Sequence, residues 1–379
     1  MKRTLVLKRS IAGLLLASFA LFAMTMSAGA QVTPAEVNET LAPGATITVD
    51  KTVQTPTIPP VLDFCLLVDN SGSYFDDIAT IKALAPGIFD DVRDEVADSQ
   101  FCLATFVDFP ISPYGVPGDY EYMLDQDLTG DKTTWVSAVN AMGTLNGNDP
   151  PESQLEALDR MASGADAPAW RSNSTRVIAI TTDAPFHDPA TTAGYPGPTF
   201  ADVVTNLNAQ GVKVIAIKAP GSTTQMDAIA NATGGSVQST GSSSDEIADA
   251  IITGLSNLDV TVTPVAVGCD PLVVTFDPTD VTVTSGEVAA FTETITVPED
   301  AAGGSTIDCM VEFQLDGGSV IGTQTIPSPW LTPRRLRWRA SRRSTQPART
   351  NPRLRARAGK VRTKTGSTSF WPATTWTVP

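Results

Sequence analysis

Between Val61 and Leu258 the sequence alternates continuous apolar runs with amphipathic patterns, and this alternation constrains the fold more than any other feature. The apolar runs lie at 61–68, 101–107, 176–182 and 212–218. The helical patterns lie at 75–97, 131–143, 151–163, 199–210, 222–233 and 244–257. Apolar strands that alternate with helices are typical of a mostly parallel sheet buried on both faces. The sequence therefore predicts an α/β fold with a doubly wound, mostly parallel sheet.

On both sides of this region the pattern changes to strands with period-two alternation. Gly44–Pro56 resembles Gly286–Pro298 in length and in its bounding Gly and Pro. Further alternating segments lie at 259–263, 272–276, 289–297 and 308–315. We therefore predict one antiparallel β-sandwich built from residues 31–60 and 259–328, with the α/β domain of residues 61–258 inserted into it.

Charge is distributed unevenly along the chain. The formal net charge is −15, but residues 31–328 carry all 41 acidic residues and only nine of the 26 basic ones. Such a surface repels polyanions, which excludes binding of nucleic acid or an anionic membrane by this part of the chain. The same surface favours the accumulation of cations.

The two ends of the chain are basic and have other roles. Residues 1–30 have the pattern of a secretory signal peptide, with an apolar run, Ile11–Met24, too short to span a bilayer. We therefore predict a secreted or cell-surface protein without a membrane span in the mature chain. Residues 329–379 form a basic low-complexity tail with thirteen Lys or Arg and no acidic residue. This tail is either a disordered polyanion-binding arm or, as we prefer, an out-of-frame translation.

The four cysteines are an even number, as expected in an oxidising compartment. Cys269 and Cys309 both lie in the β-rich region, where we predict a disulfide. Cys65 and Cys102 lie inside two apolar strands, where either a disulfide or a pair of buried thiols is compatible with the pattern. The cysteine spacing does not match a zinc motif, and we expect no zinc site.

Acidic residues follow three of the apolar runs, at Asp69, Asp108 and Asp183. If the strands are parallel, these carboxylates meet at one edge of the sheet, where their repulsion favours a bound cation. The first of them begins the sequence D-x-S-x-S, whose Ser71 and Ser73 can face the same point. Carboxylates and hydroxyls are hard oxygen ligands, which suit Mg²⁺ or Ca²⁺.

In this position, the motif resembles the metal-ion-dependent adhesion site of the von Willebrand factor A domain, specifically the I-like domain of integrin β subunits. Four further motifs match that family in order: Asp76-Asp77, the run from Phe106 to Tyr114, the D-x-P-E loop Asp149–Glu152, and Thr181–Ala184 followed by His187. The resemblance covers about residues 61–258 and implies a Rossmann-like α/β domain inserted in a hybrid-like β-sandwich.

The resemblance also implies three cation sites. Ser71, Ser73 and Glu152 would bind a central Mg²⁺ directly, and Asp69 and Asp183 would bind it directly or through water. Two flanking Ca²⁺ ions are implied, one on Asp76 and Asp77, the other on Asp108, Asp149, the Pro151 carbonyl and Glu152. The chain departs from the family at Gly147, where the family has Asn, and at 113–124, which replaces a disulfide-closed specificity loop.

Each of these residues has a simpler alternative role. Asp76 and Asp77 could stabilise a helix N-terminus, and Glu152 could be an ordinary acid in the first turn of a helix. His187 is the only histidine in the chain, and we expect it to satisfy a loop hydrogen bond. Ser71 or Ser73 with His187 and an Asp would be a minimal catalytic triad, but no G-x-S-x-G elbow is present.

We therefore predict a non-enzymatic adhesion or ligand-binding protein that uses Mg²⁺, with flanking Ca²⁺, to bind an acidic residue of a protein partner. One alternative is a structural extracellular module in which the cations only stabilise the fold. A metal-dependent hydrolase is a further alternative, but the carboxylates assigned to cations leave it without a general base.

Overall fold

The computed structural model describes residues 31–218, 224–240, 246–301 and 308–327. The predicted signal peptide and the basic tail lie outside the described residues. None of the helices in the described part of the chain combines the length and apolarity needed to cross a membrane.

The described chain forms fourteen strands and six α-helices. The strands are β1 (Val32–Thr33), β2 (Thr46–Gln54), β3 (Val61–Asp69), β4 (Asp98–Phe106), β5 (Met123–Thr129), β6 (Thr175–Thr182), β7 (Val212–Lys218), β8 (Ser236–Ser239), β9 (Asp259–Val267), β10 (Val273–Asp277), β11 (Val281–Thr284), β12 (Val288–Thr296), β13 (Asp308–Leu315) and β14 (Ser319–Pro327). The helices are α1 (Phe75–Glu95), α2 (Lys132–Ala141), α3 (Gln154–Ser163), α4 (Phe200–Ala209), α5 (Gln225–Ala232) and α6 (Ile247–Leu255).

The central sheet has six strands in the order β5-β4-β3-β6-β7-β8. All neighbouring pairs are parallel except β4 and β5. Strand β3 contributes Phe64 and Leu66 to the core on one face, where α1, α2 and α6 pack. It contributes Cys65 and Leu67 to the core on the other face, where α3, α4 and α5 pack. This arrangement confirms the predicted doubly wound, mostly parallel α/β fold.

Two four-stranded antiparallel sheets, β1-β2-β12-β10 and β11-β9-β13-β14, accompany the central sheet. Strand β2 precedes the α/β region in sequence and pairs along its whole length with β12, which follows it. These are the two segments whose similarity was noted in the sequence. Phe276 and Phe291 from one sheet meet Phe313 from the other, each pair of ring centroids 6.1 Å apart. The sandwich is therefore built from chain on both sides of the α/β region.

The structure joins both cysteine pairs as disulfides. Cys269 is bonded to Cys309, as predicted. Cys65 is bonded to Cys102, and the two residues lie directly opposite each other on the parallel strands β3 and β4. The sequence left the second pair open between a disulfide and buried thiols, and the structure has the disulfide.

Candidate functional site

Two strand ends bring the first acidic residues together. Asp69 is the last residue of β3, and Asp183 follows the last residue of β6, its parallel neighbour. The buried Asp69 carboxylate accepts hydrogen bonds from the Thr182 hydroxyl at 2.6 Å and from the Ser71 backbone N–H at 2.8 Å. Burial raises the pKa of Asp69 to about 6, although these hydrogen bonds favour its ionised form. Asp69 therefore fixes the loop that carries the serines.

The two serine hydroxyls of the D-x-S-x-S loop converge on this edge. The Ser71 and Ser73 Oγ atoms are 3.1 Å apart, and the Ser73 hydroxyl donates to Asp183 Oδ1 at 3.1 Å. Ser71 is buried and Ser73 is exposed. The alternate residues of the loop therefore face one point at the surface, as the spacing predicts.

Glu152 reaches the same point from the loop before α3. Its backbone N–H donates to the Pro185 carbonyl at 2.9 Å, and its carbonyl accepts from the His187 N–H at 3.0 Å. The helix predicted to begin at 151 begins at Gln154. The alternative of an ordinary acid in the first helical turn is therefore wrong. This short bridge to the 185–187 segment holds Glu152, only 3% exposed, in the site.

The electrostatics of Glu152 indicate that this group of acidic side chains needs a positive charge nearby. Burial, followed by the charges of Asp69 and Asp108, raises its pKa to about 10, and a hydrogen bond with Ser71 opposes the shift only partly. Its Oε2 atom is buried without a hydrogen-bond partner. In the described part of the chain, no Lys or Arg forms an ion pair with Asp69, Glu152 or Asp183. These oxygen donors fit a divalent cation such as Mg²⁺.

The site opens into a cleft of about 500 Å³ lined by Ser73, Gly147, Glu152 and Asp183, among others. Gly147 has a positive φ of 63°, and a Cβ atom there would lie 3.0 Å from Glu152 Oε1. A side chain at 147 would therefore be strained and would press on the carboxylate.

A second cluster forms beside the first, from Asp108, Asp149 and His187. The His187 Nε2 atom lies 3.2 Å from Asp149 Oδ2 and 3.4 Å from Asp108 Oδ2. Burial raises the pKa of Asp108 to about 7. Since Asp149 lies in the loop before α3, the expectation that His187 satisfies a loop hydrogen bond stays a prediction. The imidazole lies beside the carboxylates of Asp108 and Asp149. The three residues are far apart in sequence, so this contact could not be predicted from the sequence.

The remaining predicted ligands lie around these two clusters. Asp76 and Asp77 occupy the first turn of α1, so their alternative role at the helix N-terminus is compatible with the structure. After burial, which has the largest effect, their charges also contribute to the raised pKa of Asp183. Pro151 is half-buried, immediately before Glu152 in the loop that also carries Asp149. The structure thus brings every predicted ligand to one edge of the central sheet.

The arrangement does not form a catalytic triad. Ser71 and Ser73 hydrogen bond with each other and with Asp183. His187 Nε2 lies 3.2 Å from Asp149 Oδ2 and 3.4 Å from Asp108 Oδ2. In the described part of the chain, the hydrogen bonds of Ser71 and Ser73 do not include one to His187, which a serine nucleophile and its base require.

Comparison with known proteins identifies the α/β region. Residues 57–210 match the family described as the integrin beta chain VWA domain. The curated relatives include integrin beta-2 of Ovis canadensis, 27% identical over 41% of this chain and 22% of its own length. They also include integrin beta-1 of Gallus gallus, 25% identical over 33% of this chain and 18% of its own length. Residues 57–210 therefore form a von Willebrand factor A domain of the integrin β-chain type, and the chain spans about a fifth of these relatives.

Two solved structures are also similar. The von Willebrand factor type A protein from Catenulispora acidiphila has 14% identity and a TM-score of 0.40, covering 80% of this chain and 73% of its own. The pilus adhesin SpaC from Lactobacillus rhamnosus GG has 14% identity and a TM-score of 0.38, covering 76% of this chain and 47% of its own.

Proposed function

We propose, on the premise that residues 57–210 form a von Willebrand factor A domain of the integrin β-chain type, that this chain is a secreted or cell-surface adhesion protein. In this proposal, Mg²⁺ at the edge of the central sheet binds an acidic side chain of a protein partner. The observation that supports the proposal most strongly is the convergence of the Ser71, Ser73 and Asp183 side chains with the buried, unpartnered oxygen of Glu152.

Each residue has a distinct role in this proposal. Ser71, Ser73 and Glu152 would hold the ion directly, and Asp183 would hold it directly or through water. Asp69 would do the same, while its hydrogen bond from the Ser71 N–H keeps the loop in position. When bound, Mg²⁺ supplies a positive charge with a coordination position open to an outside ligand. Because hydroxyls are neutral, they leave that charge incompletely compensated, which favours a carboxylate from the partner.

Flanking cations would support the central one. Asp76 and Asp77 in the first turn of α1 would hold one Ca²⁺, close enough to influence Asp183. The resemblance implies a second Ca²⁺ on Asp108, Asp149, the Pro151 carbonyl and Glu152, and this assignment stays a prediction. Both positions would reduce the repulsion among the carboxylates at this edge.

The main alternative is a structural module whose cations stabilise the fold without binding a partner. A metal-dependent hydrolase is less well supported, because the carboxylates assigned to cations leave it without a general base. Metal-dependent turnover of a small substrate without any macromolecular partner would favour the hydrolase.

We test the adhesion proposal with immobilised chain and a panel of purified extracellular proteins, each used unmodified and with its carboxylates converted to amides. We expect at least one unmodified protein to bind in Mg²⁺, to dissociate in EDTA, and to lose binding on amidation. Thermal stability is measured in the same buffers. Binding that ignores EDTA or amidation would contradict the proposal, and stabilisation by Mg²⁺ with no bound protein would support the structural alternative.

A further inference from the structure

We propose that Lys51 and Gln324 become joined by a side-chain amide bond inside the β-sandwich, with Glu293 as the acid–base group that assists its formation. Lys51 lies on β2, Glu293 on β12 and Gln324 on β14. The proposal does not depend on the cation sites or on the proposed function, because all three residues lie outside residues 57–210 and outside the cleft.

The three polar side chains occupy interior positions of the sandwich, where strand alternation favours apolar residues. Lys51 is 1% exposed, and Glu293 and Gln324 are fully buried. A buried ion pair is commonly no more stabilising than apolar residues of the same volume. Stability of the core alone therefore does not account for these residues. Their neighbours two positions away on the same strand faces include Val49, Val53, Phe291, Ile295 and Ile326.

The Glu293 carboxylate connects the other two side chains. The Lys51 Nζ atom lies 3.5 Å from Glu293 Oε2. The Gln324 Nε2 atom donates to both Glu293 carboxylate oxygens, each at 3.0 Å. Lys51 Nζ also donates to the Pro34 carbonyl at 2.6 Å, which holds the amine in place. The amine and the carboxamide therefore meet on the same carboxylate.

Burial favours the uncharged forms of the amine and the carboxyl group. Desolvation lowers the pKa of Lys51, and the charge of Glu293 opposes this only partly. Desolvation likewise raises the pKa of Glu293, against the opposing charge of Lys51. Transfer of a proton from Lys51 to Glu293 gives an amine with a free lone pair beside a carboxylic acid. A desolvated lysine amine is an activated nucleophile.

The reaction exchanges one C–N bond for another and releases ammonia. The lone pair of Lys51 Nζ forms a bond to Gln324 Cδ, and the Cδ–Nε2 bond breaks with its electron pair remaining on Nε2. Glu293 gives its proton to Nε2, which leaves as ammonia, and accepts a proton from Nζ. The carboxyl group therefore ends the reaction as it began, and no other reactant is needed. Its contacts with both nitrogens suit this exchange of protons.

The bond would join the two sheets of the sandwich. Strands β2 and β12 belong to one four-stranded sheet, and β14 belongs to the other. Lys51 precedes the α/β region in sequence and Gln324 follows it, so the bond would also close a loop that contains the whole region. In the chain-entropy account, a cross-link that closes a long loop stabilises by restricting the unfolded chain. The sandwich would therefore stay closed when the chain on either side of the α/β region is pulled apart.

Peptide mass spectrometry of the folded, full-length chain tests the proposal. The disulfides are reduced and the chain is cleaved at aspartate and glutamate, which separates Glu293 from Gln324. We expect the peptides that contain Lys51 and Gln324 to be recovered as one species, lighter than their sum by one ammonia. Preparation of the chain in EDTA should not change this result, which separates it from the adhesion proposal.

Variants test the role of the carboxyl group. Glu293→Gln should form the bond about a hundredfold more slowly, because a positioned acid–base group typically contributes about 10²–10⁴-fold. Glu287→Gln is the matched control, since Glu287 is exposed and immediately precedes β12. This variant should form the bond as the wild type does.

Three outcomes would overturn the proposal. Recovery of the two peptides separately, with unmodified masses, from the folded wild type would show a buried ion pair only, and this result does not require any variant to fold. Loss of water instead of ammonia, with Lys51 joined to the peptide that contains Glu293, would make Glu293 the acyl group. Formation of the bond in Glu293→Gln at the wild-type rate would remove Glu293 from the reaction.

Discussion

Replacing Ser71 with alanine is expected to lower the affinity for Mg²⁺ at least tenfold and to abolish Mg²⁺-dependent binding of the partner. The Ser71 hydroxyl lies 3.1 Å from Ser73 Oγ and contacts Glu152, so its loss removes a donor from the centre of the site. Changes even to residues that only orient metal ligands typically cost 10–100-fold in affinity. Calorimetric titration with Mg²⁺ measures the first effect, and capture of the partner measures the second.

Ser137→Ala is the matched control for this change. Its hydroxyl donates to the Thr133 carbonyl within α2, away from the cleft. Removing the hydroxyl of Ser137 should leave both the Mg²⁺ affinity and the binding of the partner at wild-type values. Ser71→Ala that retains Mg²⁺-dependent binding would show that the hydroxyl is not a ligand.

Removing divalent cations is expected to destabilise the chain more strongly as the pH rises. In the folded, metal-free chain the pKa is about 6 for Asp69, about 7 for Asp108 and about 10 for Glu152, all above their ordinary values near 4. The folded state therefore binds more protons than the unfolded state across this range. The stabilisation is complete below about pH 4 and is lost progressively as the pH rises through these folded-state values.

Melting temperatures measured from pH 5 to pH 9 test this expectation. In EDTA the melting temperature should fall steadily with pH, whereas with Mg²⁺ and Ca²⁺ it should change much less, because bound cations stabilise the ionised carboxylates. Glu152→Gln removes the carboxyl whose pKa is raised most among these three. In EDTA at pH 9 this variant should melt above the wild type, and Mg²⁺ should stabilise it less. If the melting temperature of Glu152→Gln in EDTA fell with pH as steeply as that of the wild type, the raised pKa assigned to Glu152 would be contradicted.

The strands at the centre of the sheet could be predicted from sequence, because a strand that is buried on both faces of the sheet appears as a continuous apolar run. The helices between them could be predicted from their amphipathic patterns. The runs at 61–68 and 176–182 correspond to β3 and β6 almost residue for residue. Strand β5 was not predicted, because its residues at the sheet edge are mostly half-exposed and include polar side chains between the apolar ones. Strand β8, with four residues, is too short to leave a periodic pattern.

The D-x-S-x-S part of the site could also be predicted, because its spacing is local. The partners of Glu152 and His187 could not, because they depend on the path of two loops. A short bridge between 152 and 186 turns Glu152 into the site, although its position after two prolines suggested a helix. Asp108 and His187 are far apart in sequence and meet only because β4 and β6 lie on either side of β3. The sequence signal for this contact was that His187 is the single histidine of the chain and lies in an otherwise acidic region.

The most direct test of the central claim is an anomalous difference map from crystals of the chain soaked in Mn²⁺, a probe for Mg²⁺, together with acetate. We predict an anomalous peak within bonding distance of Ser71 Oγ, Ser73 Oγ and the Glu152 carboxylate, with an acetate oxygen in the remaining coordination position. An ion held there with no acetate bound would favour a purely structural cation. No peak at this edge of the sheet would contradict the account.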